Sequence, residues 1–159
     1  MPAACIIREA HRGDMDALTE LLGLLFALET DFAAGAQDAA RQRDGLELML
    51  LGTQRLVLVA EDKGSVVGMA TAQLVVSTAE GGPALLVEDV VVRPESRGRG
   101  IGRALLARIE AWGVGLGATR LQLLADRDNA PAFAFYRACG FAPTNLVCLR
   151  RSLPRPAGK

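Results

Sequence analysis

The sequence predicts one mixed α/β domain, on three observations. Apolar residues recur at helical spacing in four stretches, and β-branched apolar runs lie between them. The two kinds alternate in the order strand, two helices, three strands, helix, strand, helix, strand. Three consecutive strands joined by short turns read as an antiparallel meander, and the later strands, separated by helices, as crossovers. A length of 159 residues suffices for one domain with its own core and is short for two. The domain is expected over 1–153, with 154–159 as a disordered tail.

Each element has its own justification. "CIIR", residues 5–8, is a short apolar run suited to a first strand. Asp14 is placed to cap a first helix, in which Met15, Leu18, Leu21, Leu22, Leu25 and Phe26 fall at helical spacing. A second helix from Ala39 carries Leu46, Leu48, Met49 and Leu50 and stops near Gly52. "RLVLVAE" and "SVVGMATAQLVVS" are strands joined by a hairpin at "DKG". "AEGGP" then turns the chain into a third strand of the meander, "ALLVEDVVVR". A helix follows over 102–115, and Gly113, Gly115 and Gly117 read as its ending. "TRLQLLA" is strand-like, "NAPAFAFYRACG" helical, and "NLVCLRRSL" a last strand.

Composition removes several function classes. Half the residues are hydrophobic and the formal net charge is zero, without the basic excess of a nucleic-acid binder. The first ten residues lack the pattern of a signal peptide, and no apolar run approaches the ~20 residues of a membrane span. Three cysteines and the single His11 have no metal-ligand spacing, so no metal site is expected. A reduced, cytoplasmic setting fits this composition.

One stretch stands out: "RPESRGRGIGRALL", residues 93–106, sets three glycines among four arginines at the mouth of a helix. A dinucleotide fingerprint counted from Gly98 would need glycine where Arg103 stands, and a P-loop would need lysine followed by serine or threonine. The pattern that remains is R-x-x-G-x-G, at Arg97, Gly100 and Gly102. N–H groups at a helix N-terminus are unpaired and carry the positive end of its dipole. Glycines admit a phosphate to that backbone and arginines add charge-assisted contacts, so a diphosphate suits the loop. A plain basic surface turn is the competing reading. An arginine-glycine nucleic-acid motif is disfavoured, since such motifs sit in disordered repeats.

"VEDVVVRPESRGRGIGRALL" followed by "DRDNAPAFAFYRACGF" resembles the two signature segments of the Gcn5-related N-acetyltransferase (GNAT) superfamily. The first is similar to its acetyl-coenzyme A motif. The second is similar to an Asn-led helix that carries a Phe-Tyr pair and ends at Gly-Phe. The specific likeness covers 86–104 and 126–141, with a looser match at the first strand and helix. The resemblance implies a GNAT fold whose mixed sheet pairs an antiparallel N-terminal meander with parallel, splayed central strands. It implies that the backbone of Val90, Val91 and Val92 pairs with pantetheine, and that Arg97, Gly98, Arg99, Gly100, Ile101, Gly102 and Arg103 hold the pyrophosphate. Asn129 would contact pantetheine, and Tyr136 would sit beside the thioester sulfur and protonate the leaving thiolate.

The activity so implied is acetyl-CoA-dependent N-acetylation of a primary amine on a small molecule or peptide, by direct attack in a ternary complex. A protonated amine needs a base, and Glu88, Asp89 or a water chain can serve. Simple alternation puts Glu88 and Asp89 on opposite faces, with Glu88 sharing the face of Val90 and Val92 and therefore preferred. Glu29 and Asp31, at the end of the first helix, lie where this family places part of its acceptor site. The expected partners are acetyl-CoA and an amine, with neither nucleic acid nor membrane; dimers are frequent among similar proteins. A non-catalytic acyl-CoA-binding domain is the competing function.

Overall fold

The computed structural model describes residues 5–35 and 38–157. By compactness the chain divides into two units, Met1–Asp126 and Arg127–Lys159. The first contains β1 (Ile6–Glu9), α1 (Met15–Leu28), α2 (Ala39–Leu51), β2 (Arg55–Asp62), β3 (Ser65–Ser77), β4 (Gly82–Val92), α3 (Ile101–Gly115) and β5 (Leu121–Leu123). The second contains α4 (Ala130–Ala138). The four helices and five of the six strands stand where the sequence predicts them.

The sheet order is β1-β2-β3-β4-β5, with antiparallel pairs up to β4 and a parallel β4–β5 pair. The meander is thus antiparallel and the crossover through α3 makes the parallel pair. Strand alternation sends side chains to two faces. On one, Val57, Val59, Met69 and Val91 form a core with Met15, Leu18, Leu21 and Leu22 of α1 and Leu46 of α2. On the other, Leu58, Ala70, Ala72, Leu85 and Val87 are buried on the side that α3 covers with Leu105 and Ile109. Gly113 lies inside α3 rather than ending it. A Cβ there would come within 2.7 Å of Leu85 Cδ1, so the glycine sets how closely helix and sheet approach.

The expected last strand, 145–153, does not form: residues 141–156 adopt no helix or strand. Leu146 is 85% exposed and Leu149 90%. Strand propensity reports fitness for a half-buried pleated surface and requires a neighbouring ladder, which a local apolar run does not itself supply. The expected tail at 154–159 lies partly outside the described residues, which end at 157.

Asp14 departs from its expected role as well. It occupies the N-cap position of α1, but its side chain does not cap that helix. Arg8 Nη1 and Nη2 donate to its two oxygens at 2.8 and 2.9 Å, and Arg8 Nε reaches Glu61 at 2.8 Å. The His11 N–H adds a hydrogen bond to Asp14 Oδ2 at 2.9 Å. Buried Asp14 thereby ties β1 to the entry of α1, and the Arg8 hydrogen bonds hold its carboxyl below the usual range. A depressed carboxyl contributes stability above its unfolded pKa and loses it as pH falls through the folded one. Asp14→Asn is therefore expected to cost about 1–3 kcal/mol at neutral pH. It should also flatten the loss of stability on acidification below pH ~4. Urea unfolding across pH 3–7 checks both.

Candidate active site

The site is organised by one irregular step between β3 and β4. Ala72 pairs with Val87, but Ala70 pairs with Val90. Two residues of β4, Glu88 and Asp89, therefore stand opposite the single Thr71, which is the count of a β-bulge. The extra residue breaks strict alternation, so the expectation that Glu88 and Asp89 point to opposite faces does not hold. Both line one cleft of about 470 Å³ between the sheet and the α1–α2 pair, walled by Leu22, Phe26, Leu46 and Met49. For the same reason Val90 and Val92 fall on the face of Val87 and Ala70, away from that cleft.

Thr71, 1% exposed, binds Asp89 twice. Its hydroxyl donates to Asp89 Oδ2 at 2.7 Å and accepts the Asp89 N–H at 3.1 Å. Burial pushes the Asp89 carboxyl up to about 6; the Thr71 hydrogen bond opposes the rise and the charge of Glu88 adds to it. Glu88 itself is exposed along the cleft.

Glu29 follows the last turn of α1 and is half-buried. Burial, then the charges of Asp89, Asp126, Asp31 and Glu88, push its carboxyl up to about 7. Asp126 Oδ2 accepts the Thr30 N–H at 3.2 Å, fixing the chain after β5 against the end of α1. Glu29 and Asp31, far from β4 in sequence, thus share one electrostatic neighbourhood with Glu88 and Asp89. Asp126 and Thr71 are not singled out by sequence reasoning. Asp126 stands at the head of the second signature segment, which was a usable signal, whereas nothing local marks Thr71.

Beyond the bulge, β4 changes its surroundings. The β4–β5 ladder runs from Leu85–Leu121 to Val87–Leu123 and stops. Val90 to Val92 pair with β3 on one side only, so their other edge has no strand among the described residues. The chain then enters the arginine-glycine loop. Gly98 (φ +74) and Gly100 (φ +78) lie in the left-handed region, and no atom comes within 4 Å of where a Cβ would stand on either. Gly100 is the N-cap of α3 and no side-chain hydrogen bond caps the helix. Open backbone, uncapped N–H groups and the exposed Arg97, Arg99 and Arg103 fit the pyrophosphate of acetyl-CoA. Two arginines also carry structural contacts. Arg97 Nε donates to the Val92 carbonyl at 3.0 Å, and Arg99 Nη1 pairs with Asp62 at 2.7 Å. Ile101 is buried at the first turn of α3, next to Gly102.

The remaining two predicted residues belong to the second unit. Asn129 caps α4, its Oδ1 accepting the Ala132 N–H at 3.1 Å. Tyr136 lies seven residues on, about two helical turns. Its half-buried ring is 5.2 Å from Phe135 and 5.7 Å, edge-on, from Phe141. No group of three or more His, Cys, Asp or Glu suited to a metal occurs among the described residues, nor does a helix long and apolar enough to cross a membrane.

Comparison with known proteins gives this arrangement a family. The acetyltransferase (GNAT) family matches residues 22–141. An aminoglycoside N(6')-acetyltransferase type 1 of Stenotrophomonas maltophilia is 35% identical over 97 residues, spanning 59% of this chain and 63% of that protein. A putative acetyltransferase from Agrobacterium tumefaciens superposes with a TM-score of 0.77 at 27% identity, over 92% of this chain and 99% of that one. The enzyme AAC(6')-Iy, in complex with the bisubstrate analogue CoA-S-monomethyl-acetylneamine, shares the fold with a TM-score of 0.79 at 21% identity. That match covers 96% of this chain and 100% of the other. With the family's span including β4, the glycine loop and the Phe-Tyr helix, the chain belongs to the acetyltransferase (GNAT) family.

Proposed function

We propose that this protein transfers the acetyl group of acetyl-CoA to a primary amine of a small cationic molecule, by direct attack in a ternary complex. The observation that carries the reading is the bulge, which turns Glu88 and Asp89 into one cleft immediately before an open edge of β4. Carboxylates at Glu29, Asp31, Glu88, Asp89 and Asp126 share that region, which suits an acceptor with more than one ammonium group. The relative from Stenotrophomonas is named as an aminoglycoside acetyltransferase, so aminoglycosides are the first acceptors to test.

In this reading the residues divide the work. Gly98 to Arg103 and Arg97 receive the pyrophosphate, and the edge of Val90–Val92 away from β3, where Arg97 Nε already meets the Val92 carbonyl, receives the pantetheine amides as a strand would. Asn129 adds a pantetheine contact. An alkylammonium with a pKa near 10 must lose a proton before it attacks. We assign that proton to Asp89, which is fixed by two hydrogen bonds and ionised at neutral pH with its carboxyl at about 6. Exposed Glu88, with Glu29 and Asp31, attracts and orients the cation. A backbone N–H near Val91 stabilises the tetrahedral oxyanion, and Tyr136 protonates the departing thiolate. Release of free thiol when acetyl-CoA meets a panel of aminoglycosides and simpler di- and triamines tests the activity. Tight acetyl-CoA binding with no thiol from any amine would favour the non-catalytic alternative.

Three outcomes are specific to these assignments. Gly100→Glu puts a Cβ and a negative charge into the left-handed N-cap, so acetyl-CoA binding should fall at least 100-fold while circular dichroism shows an intact fold. Normal binding by a folded variant would remove the loop from the donor site. Asp89→Asn should lower kcat by about 10²–10⁴, with partial recovery at high pH where the amine deprotonates unaided. Its effect on stability should run the other way. A raised carboxyl contributes its full stability only below the unfolded pKa and loses it as pH rises through about 6. The amide is therefore expected to raise the stability of the free protein at pH 7–8, on the order of 1–2 kcal/mol, read by thermal unfolding. Tyr136→Phe keeps the ring and removes the acid. Its kcat should drop by about 10²–10⁴ without alkaline recovery and with acetyl-CoA affinity unchanged.

A further inference from the structure

We propose that Thr71 is a positioning residue for the transfer, its hydroxyl clamping Asp89 so that a single carboxylate oxygen faces the acceptor amine. The inference rests on the proposed function in giving the amine's proton to Asp89; the clamp itself rests on geometry.

A bulge opposes two residues to one and leaves an N–H outside the regular ladder. Here the two are Glu88 and Asp89, the one is Thr71, and the Asp89 N–H is answered by Thr71 Oγ1 at 3.1 Å. A hydroxyl has one proton to give, and this one goes to Asp89 Oδ2 at 2.7 Å. Backbone and side chain of the same aspartate are therefore bound to one oxygen atom, which fixes both the bulge and the side-chain torsion. Threonine is well matched to this position, because β-branching restricts χ1 and the residue is 1% exposed in the middle of the sheet. With Oδ2 committed, Oδ1 is left to take the proton. Oδ1 takes the ammonium proton, and the N–H electrons stay on nitrogen as the lone pair that forms the new N–C bond. The thioester π electrons move to oxygen, then return as the C–S bond breaks; Tyr136 protonates the thiolate and regains a proton from the second N–H, and Asp89 returns its own to solvent. The same hydroxyl also sets when Asp89 is ready, because donation to Oδ2 favours the ionised form against the effect of burial.

The test compares rate–pH profiles of the full-length protein and its Thr71→Val, Thr71→Ser and Asp89→Asn variants on one good acceptor, with folding checked by circular dichroism. Valine keeps the shape and removes the hydroxyl. Its acidic limb should move up by about one pH unit, the worth of one hydrogen bond to a charged group. The plateau kcat should fall at least tenfold, while KM for acetyl-CoA stays put. Serine should restore both limb and plateau, and in the Asp89→Asn background Thr71→Val should add nothing to the profile. A folded Thr71→Val enzyme with an unmoved limb, or a serine variant as impaired as valine, overturns the proposal. If valine does not fold, Thr71→Cys, of similar size and a weaker donor, carries the same expectations at smaller amplitude. Should no amine be acetylated by the parent protein, the proposed function fails on its own. Carbon-detected NMR titration of the Asp89 carboxyl in the parent and Thr71→Val proteins then still decides the clamp, by the presence or absence of the upward shift.

Discussion

A hydrogen-bonded ladder skips a step only where something else satisfies the groups it abandons, and the organisation of this site depends on one such exchange. At the middle of β4 the regular pairing to β3 is replaced by the buried Thr71 hydroxyl, bonded to both backbone and side chain of Asp89. The consequences run in both directions along the strand. Before the step, Leu85 and Val87 serve the face under α3. At the step, two carboxylates enter the cleft on the other face, and beyond it β4 has lost its parallel neighbour. The acidic step and the open edge of β4 are adjacent because a single irregularity ends one arrangement and begins the next.

The electrostatics follow from that crowding. Carboxylates at Glu29, Asp31, Glu88, Asp89 and Asp126 influence one another, and burial raises two of them towards neutrality. Three acids away from the cleft are paired instead: Asp14 and Glu61 share Arg8, and Asp62 holds Arg99. Around Glu29 and Asp89 the fold thus retains like-charge repulsion, while Arg41 and Arg55 line the other part of the cleft.

The fold was legible because its signals are local. Helical periodicity at Met15–Phe26, the hairpin at "DKG" and the run of β4 each announce themselves within a dozen residues. The glycine loop was legible for the same reason, since it joins a strand end to a helix start. What could not be read depends on partners. The expected strand at 145–153 has the right residues and no ladder, and Asp14 has the right position for a cap but an arginine to satisfy. The bulge was invisible because alternation is assumed until a register is known. "VEDVVV" spells a regular strand, and only its pairing with "MATAQ" reveals the surplus residue. The shared cleft of Glu88 and Asp89 followed from that register and from nothing in the local sequence.

The bulge has a last consequence for how such a chain can be altered. A strand repeats every two residues, so removing either Glu88 or Asp89 would restore the regular count and leave the other alone opposite Thr71 on the cleft face, reducing the pair to one carboxylate. The wall formed by Leu22, Phe26, Leu46 and Met49 is under no such arithmetic. Its residues sit on α1 and α2 and can change in size one at a time. Length therefore sets how many carboxylates the step presents, whereas the shape of the wall can change residue by residue. A lineage or a protein engineer can reshape this cleft by substitution in the helices, without insertion or deletion in the sheet.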